Sequence, residues 1–198
     1  MPRRTAEDVA DSRAVATRHA VDVASVEGLE GLTIGRLADE LGMSKSGLIG
    51  RFGDKASLQL AVLDAAVARF TEHVWGPASA LPAGMPRLER IVDAWVDHLR
   101  DGVFPGGCFV TTASVEYDAR PGPQRDAVAA LVRRWLGILE AEATAAQAAG
   151  DLPADRVPAD VAYELHSLAS GGSVAGRLID DPDALERVRR AMHRTIGR

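Results

Sequence analysis

The sequence predicts an all-α protein of about nine helices, because apolar residues recur along it at helical spacings of three and four. Two further observations support this fold class. Clusters of β-branched and aromatic residues with a period of two are missing, and Gly and Pro separate the periodic segments. Of the 198 residues, 46% are hydrophobic and 26% are charged. This balance is typical of a folded globular protein and excludes disorder as the main state.

The N-terminal part is expected to contain one long helix, two short helices and a second long helix. The first helix covers residues 6–27 and ends at Gly28, because glycine adopts the left-handed conformation that stops a helix. The short helices cover residues 33–41 and 44–52, and the second long helix covers residues 55–74.

Further helices follow a connecting loop. Residues 76–86 are rich in Gly, Ala and Pro, which predicts the loop. Residues 88–99 carry apolar side chains on one face of an amphipathic helix. A short apolar helix is expected over residues 108–117. Residues 119–123 contain Pro and Gly and form a break before a long helix that ends near Gly150.

Proline marks the start of each of the last two helices. Pro158 suits the first turn of one, and Asp181 followed by Pro182 provides an N-cap and a proline at the first helical position of the other. Residues 171–176 contain three glycines, which cost helix stability. We therefore expect another helix to pack closely against them. They lack the Lys-Ser/Thr pair of a phosphate-binding loop.

Composition excludes several classes of protein. Lys and Arg number 23 against 28 Asp and Glu, and the net charge of −5 disfavours a basic protein that coats nucleic acid. The single cysteine, Cys108, cannot form an intrachain disulfide. The chain has no apolar run long enough to span a membrane, and its N-terminus lacks the apolar stretch of a secretory signal. We expect a cytoplasmic protein without membrane contact.

Residues 32–52 carry the pattern of a helix-turn-helix. Ala38 precedes Gly42 by four positions, and its small side chain allows the two short helices to cross closely. Gly42 supplies the left-handed backbone of a sharp turn, and Ser44 can cap the second short helix. The expected shared core consists of Ile34, Leu37, Leu41, Met43, Leu48 and Phe52.

The second short helix has the features of a recognition helix that enters the major groove. Its exposed residues would be Lys45, Ser46, Ile49 and Gly50, and its N-terminal N–H groups can bind phosphates. Residues 1–55 contain eight Lys or Arg and nine Asp or Glu. The prediction therefore depends on where the cations lie, and a plain helical hairpin with solvated charges is the alternative.

The same stretch resembles a known family. TIGRLADELGMSKSGL at residues 33–48, followed by FGDK at residues 52–55, is similar to the TetR family of transcriptional regulators. The resemblance implies a homodimer, with a DNA-binding domain at residues 1–54 and a ligand-binding and dimerisation domain at residues 55–198. It implies a repressor that a small molecule releases from a palindromic DNA operator, and a dimer interface made by the two C-terminal helices.

The predicted DNA-binding residues come from this resemblance and from the charge pattern: they are Thr33, Arg36, Ser44, Lys45, Ser46, Gly47, Ile49, Arg51 and Lys55. In the resembling family, the residue at the position of Thr33 caps the second helix and binds a phosphate, and the residue at the position of Lys55 binds a phosphate. The family often has aromatic residues at the positions of Ile49 and Gly50, and histidine at that of Arg51. Ile49 can contact a thymine methyl group but cannot donate a hydrogen bond. Arg51 can compensate with its charge.

A ligand site is expected among the middle helices, where the resembling family has its cavity. Such sites are mostly apolar with a few polar groups, which predicts an apolar or aromatic small molecule as the ligand. The candidates are Phe70, Trp95, His98, Phe104, Cys108, Phe109, Thr111, Thr112, Glu116 and Trp135. The alternative for each of them is an ordinary core or surface position.

Two other classes of protein fit the sequence less well. A helical small-molecule-binding or interaction protein without specific DNA binding would show only salt-driven DNA affinity. An enzyme would need more than Cys108 and His98 as nucleophile and base, because no oxyanion motif accompanies them. His98, Cys108, Glu116 and His166 lack the tight spacing of a zinc site. We therefore expect no catalytic site, no metal and no cofactor.

Overall fold

The structure is a computed structural model that describes residues 6–198, with side chains from residue 12 onward. The described residues form helices and connecting segments without a strand, which confirms the predicted all-α fold class. The helices are α1 (Ala6–Gly31), α2 (Ile34–Leu41), α3 (Lys45–Phe52), α4 (Lys55–Phe70), α5 (Gly76–Ser79), α6 (Met85–Arg100), α7 (Phe109–Tyr117), α8 (Pro123–Ala148), α9 (Pro158–Leu178) and α10 (Ala184–Thr195). A π-helical turn, Thr71–Trp75, joins α4 to α5 without interruption.

The helices belong to two compact units. The first contains the residues up to Ala68 together with Phe104–Val128, and the second contains Arg69–Val103 together with Ala129–Arg198. Accordingly α1, α2, α3 and α7 lie in the first unit, and α6, α9 and α10 lie in the second. The units do not follow the predicted division between residues 54 and 55, because α7 packs on α1. That functional division stays a prediction.

In the first unit, α2 and α7 both pack on α1. The loop before α7 approaches α1 very closely at Gly106. Its N–H donates to Oγ of Ser25 at 2.9 Å, and a Cβ atom on Gly106 would lie 1.7 Å from the carbonyl oxygen of Ser25. Only glycine fits this approach, so the loop is fixed on α1 just before α7 begins.

In the second unit, α10 packs on both α9 and α6. A Cβ atom on Gly172 of α9 would lie 2.2 Å from Cγ2 of Val188 in α10, which confirms the close packing predicted for the glycine-rich residues. On the side of α6, Arg189 donates to Asp93 and to Asp97 at 2.6 Å each. These ion pairs connect α10 to α6.

Two stretches around α1 and α5 differ from the sequence-based prediction. Gly76–Ser79 is helical rather than part of a loop. The N–H of Gly76 donates to the carbonyl of Thr71, five residues earlier, and this wide turn is followed at once by Pro77, which has no N–H to donate. The break at Gly28 occurs as predicted, but one further helical turn follows it.

The start of α10 differs as well. The sequence predicts Asp181 as the N-cap and Pro182 at the first helical position, but Asp183 occupies the N-cap position. The side chain of Asp181 accepts the N–H of Asp183 at 3.0 Å, and its carbonyl accepts that of Ala184 at 3.2 Å. These residues form a turn that precedes the helix.

Candidate nucleic-acid interface

Capping hydrogen bonds build the turn between α2 and α3. Oγ1 of Thr33 accepts from the N–H of Arg36 at 3.2 Å, and Oγ of Ser44 accepts from the N–H of Gly47 at 3.1 Å. Between the helices Gly42 has a φ of 62°, in the left-handed region. The predicted caps and the predicted turn glycine are confirmed, and together they fix where each short helix begins and ends.

Leu37, Leu48 and Phe52 are buried between the helices of this unit. The other three predicted core residues, Ile34, Leu41 and Met43, are only half-buried. The helix-turn-helix core thus contains fewer fully buried side chains than the sequence predicts. It leaves one side of α3 exposed to solvent.

The exposed side of α3 contains Lys45, Ser46, Ile49 and Gly50. Ile49 is 52% exposed although it is a large apolar residue. A Cβ atom on Gly50 would meet no atom of the described residues within 4 Å, so they leave the surface beside Ile49 open. An exposed apolar side chain beside a residue without one suits close approach to a base edge, where a thymine methyl group is the apolar partner.

Lys45 lies against the first turn of α2. A Cβ atom on Gly35 would lie 3.3 Å from Cε and 3.4 Å from Nζ of Lys45, so the lysine side chain runs past the position where Gly35 has no side chain. Among the described residues, the ammonium of Lys45 forms no hydrogen bond or ion pair. It is therefore available to bind a phosphate.

Arg36 is engaged by two carboxylates on α1 and α2. Its guanidinium binds both carboxylate oxygens of Glu27, and Nε donates to Glu40 at 2.7 Å. Glu40 also contacts His19 of α1 at 2.7 Å. Hydrogen bonds from Arg36 lower the pKa of both Glu27 and Glu40. Arg36 therefore connects α1 to α2, and its contact with DNA stays a prediction.

The other two predicted cations also have partners. Arg51 donates to Oγ of Ser12 at 2.8 Å and to the carbonyl of Gly47 at 2.6 Å. Lys55 donates to the carboxylate of Glu30 at 2.8 Å and to its carbonyl at 2.9 Å. Both side chains are held in fixed positions on the first unit. Their contacts with DNA stay predictions.

Part of the predicted ligand site meets in the second unit. Phe70, Trp95 and Trp135 contact one another edge to face, with ring centroids 5.0 to 5.9 Å apart. The ring of His98 lies 5.3 Å from that of Phe70. All four residues are buried. We call these four residues the aromatic cluster.

The aromatic cluster contains buried polar groups that its protein neighbours do not satisfy. Nε1 of Trp95 and of Trp135 has no hydrogen-bond acceptor among the described residues, and Nδ1 of the neighbouring His166 has no partner there either. Burial lowers the pKa of His98 to about 4 and also lowers the pKa of His166. Both imidazoles are therefore neutral at neutral pH, and the cluster offers two N–H donors without adding charge.

The remaining predicted ligand residues, Phe104, Cys108, Phe109, Thr111, Thr112 and Glu116, lie in the first unit. The predicted ligand residues are thus divided between the two units, and their contacts with a ligand stay predictions. The reason for the division is that α7 packs on α1, where the carboxylate of Glu116 accepts the N–H groups of Leu29 and Glu30. The sequence shows Gly28 as a helix end, but it gives no signal that a carboxylate so distant in the chain caps it.

The described residues also bear on metal binding and on membrane insertion. No group of three or more His, Cys, Asp or Glu side chains is placed to hold a metal ion there. None of the helices in the same part of the chain is both long and apolar enough to cross a membrane.

Comparison with known families gives two matches. Residues 17–62 match the family described as bacterial regulatory proteins, tetR family, and residues 84–192 match the tetracyclin repressor-like C-terminal domain. The first match contains the entire helix-turn-helix. The second contains α6, α7, α8 and α9 and most of α10. No curated protein matches the chain by sequence.

Solved structures share the fold over nearly the whole chain. A TetR transcriptional regulator from Chloroflexus aurantiacus is 19% identical, with a TM-score of 0.86 over 96% of both chains. One from Cytophaga hutchinsonii is 16% identical, with a TM-score of 0.84 over 98% of this chain and 97% of the other. AibR, solved with isovaleryl coenzyme A and operator DNA, is 19% identical, with a TM-score of 0.70 over 93% of this chain and 96% of its own.

Proposed function

The chain belongs to the tetR family of bacterial regulatory proteins, and from that premise we propose that it is a repressor. It binds an inverted-repeat DNA operator as a homodimer and leaves it when a small apolar or aromatic molecule binds. The observation that carries the proposal is the capped helix-turn-helix, whose second helix exposes Lys45, Ser46 and Ile49. A regulator that works on DNA in this way acts in the bacterial cytoplasm and needs no catalytic site.

The exposed residues of α3 make two kinds of contact with DNA in this proposal, one to phosphates and one to bases. Lys45 and the N-terminal N–H groups of α3 supply attraction to phosphates, which does not depend on sequence. Ile49 supplies an apolar contact to a thymine methyl group, which does depend on sequence. Thr33, which caps α2, lies at the other helix N-terminus of the motif, and we propose that it binds a second phosphate.

A homodimer is supported by an exposed stripe on α9. Tyr163, Val174 and Leu178 are exposed large apolar residues, with Ser167 and Gly171 between them on the same face. The spacing of four, four, three and four residues is that of one helix face that packs on another helix. In the part of the chain that the structure describes, a Cβ atom on Gly171 would meet nothing within 4 Å, so a partner helix can approach closely at the middle of the stripe.

The dimer determines the form of the operator. Two recognition helices related by a two-fold axis read two half-sites that are inverted with respect to each other. Since each helix needs the same face of the duplex, the half-sites should be about one helical turn apart, which is about 10 bp or slightly more.

The aromatic cluster supports the proposed effector. Trp95, Trp135 and Phe70 offer apolar ring surface. The two indole N–H groups, which have no acceptor among the described residues, favour a ligand that carries a hydrogen-bond acceptor such as a carbonyl or carboxylate. AibR was solved with both a small molecule and operator DNA. Because binding linkage is reciprocal, operator DNA should weaken binding of the effector by the same factor by which the effector weakens operator binding.

Selection from random duplexes tests the proposal. The purified protein should enrich an inverted repeat, and the enriched duplex should compete far better than a scrambled duplex of the same length and composition. Ile49→Ala, which leaves the phosphate contacts in place, is the matched variant for base reading. Enrichment of no sequence, with purely salt-driven binding to every duplex, would contradict the proposal and favour a helical binding protein without specific DNA recognition.

A further inference from the structure

A side chain at the end of α7 accepts hydrogen bonds from the backbone at the end of α1, directly after the break in α1. Gly28 has φ 79° and ψ 164°, which interrupts the helix, so the N–H groups that follow lack helical acceptors. The N–H of Leu29 donates to Oε2 of Glu116 at 2.7 Å, and the N–H of Glu30 donates to Oε1 of the same carboxylate at 2.8 Å. A carboxylate from α7 thus caps the last turn of α1.

Gly28 makes room for this carboxylate. A Cβ atom on Gly28 would lie 2.7 Å from Oε1 of Glu116 and 2.9 Å from Oε2, distances at which it would collide. The positive φ of Gly28 independently favours glycine. Backbone conformation and available space therefore favour the same residue, as expected of a contact on which the local fold depends.

The capped turn carries Glu30, and Glu30 holds Lys55. Nζ of Lys55 donates to Oε2 of Glu30 at 2.8 Å and to its carbonyl oxygen at 2.9 Å, while the hydroxyl of Tyr117 donates to Oε1 at 2.8 Å. Hydrogen bonds from Lys55 and Tyr117 lower the pKa of Glu30, so that its carboxylate is ionised at neutral pH. Adjacent residues of α7, Glu116 and Tyr117, thus support the turn and the side chain that bind Lys55.

These contacts orient the Lys55 ammonium without enclosing it. They use two of its three N–H donors, and 42% of the Lys55 side chain is exposed. The third donor is available to a phosphate. A side chain that is already held in its bound position loses less conformational entropy on binding, so the arrangement favours DNA affinity.

We propose that Glu116 is a positioning residue for DNA binding, which fixes the last turn of α1 so that Glu30 presents Lys55 to the DNA backbone. The final step, contact of Lys55 with phosphate, rests on the proposed function and on the phosphate contact that the family resemblance implies for Lys55. The earlier steps concern the free protein and are independent of DNA. A displacement of α7 would then weaken DNA binding through Lys55 without any change in α3.

Glu116→Gln tests the proposal, because it keeps the side-chain shape but replaces one acceptor oxygen by a donor. The dissociation constant for the selected duplex should rise about tenfold, equivalent to about 1.4 kcal/mol, and the slope of log affinity against log salt should fall in magnitude by about 0.9, as for one lost phosphate contact. Asp118→Asn is the matched control. It removes the same charge from an exposed position two residues away and should leave both quantities unchanged.

A double-mutant cycle separates positioning from general stability. In a Lys55→Ala background, Glu116→Gln should cause no further loss of DNA affinity, because the side chain it positions is already absent. In the free protein, the amides of Leu29 and Glu30 should exchange faster in Glu116→Gln than in Asp118→Asn. All binding is measured well below the thermal midpoint of each variant.

Two results would overturn the proposal: an equal loss of affinity on Glu116→Gln with and without Lys55, or faster amide exchange with unchanged DNA affinity. The titrations are repeated on a duplex without an inverted repeat, because a phosphate contact is sequence-independent. If the protein prefers no sequence, the proposed function fails, while the cycle on this second duplex still decides the role of Glu116.

Discussion

Gly172→Ala should destabilise the protein, although alanine is ordinarily the better helix residue. The new Cβ atom would lie 2.2 Å from Cγ2 and 3.3 Å from Cβ of Val188, whereas carbon atoms in contact are normally about 3.5–4.0 Å apart. Val188 cannot easily turn away, because a β-branched residue in a helix has one strongly preferred rotamer. The α9–α10 pair must therefore separate or distort.

The magnitude follows from two opposing contributions. Overpacking of a close contact costs about 1–3 kcal/mol, and replacing glycine by alanine inside a helix gains about 0.5–1 kcal/mol. The free energy of unfolding should fall by about 1–2 kcal/mol, because the clash involves Cβ as well as a methyl group. For a chain of this size, the melting temperature should fall by about 2–8 °C.

Calorimetry at a fixed protein concentration provides the measurement, with Gly137→Ala as the matched control. Gly137 is an exposed residue inside α8, where a Cβ atom would meet nothing within 4 Å. That variant should become more stable by about 0.5–1 kcal/mol. In a Val188→Ala background, Gly172→Ala should cost much less. If Gly172→Ala stabilised the protein as much as Gly137→Ala, the close packing of α9 on α10 would be refuted.

Three other predictions concern the interface and the aromatic cluster. Lys45→Ala should weaken binding to every duplex alike and reduce the slope of log affinity against log salt by about 0.9 in magnitude. Ile49→Ala should instead change the ranking of operator variants by affinity in competition titrations. An unchanged ranking would exclude Ile49 as a residue that reads bases. The pKa of His98 is lowered from 6.5 to about 4. As pH falls, the His98 imidazole is therefore protonated in the unfolded state before it is protonated in the folded state. The free energy of unfolding should then decrease as pH falls from 6.5 towards 4, by up to about 3 kcal/mol, and urea titrations of His98→Phe should show a clearly weaker decrease. Trp135→Phe keeps an aromatic ring and removes the indole N–H. It should therefore weaken the binding of aromatic carboxylates about tenfold more than the binding of the parent hydrocarbons. Equal losses of affinity in calorimetric titrations would show that the indole N–H does not bind the acceptor.

Caps and turns formed by residues close together in the sequence could be predicted from it, whereas hydrogen-bond partners distant in the chain could not. Three predicted features each depend on residues no more than four positions apart: the cap at Thr33, the cap at Ser44 and the left-handed turn at Gly42. All three occur as predicted. Arg36 was predicted to bind DNA on its charge alone, but its carboxylate partners come from α1 as well as α2. Glu116 is predicted to contact a ligand, and that contact stays a prediction. Its partners are backbone N–H groups more than eighty residues earlier, and no periodicity or spacing connects such positions.

The ion pairs also explain how a segment that is not basic overall can bind DNA. Residues 1–55 contain one more acidic than basic residue, and Glu27, Glu30 and Glu40 accept hydrogen bonds from Arg36 and Lys55. Such carboxylates reduce the long-range attraction to phosphates, on which non-specific binding depends. They also hold the cations in fixed positions, so a phosphate contact forms only where the whole surface fits the duplex. The expected consequence is weak binding to random DNA and a larger relative contribution from base contacts such as the one proposed for Ile49.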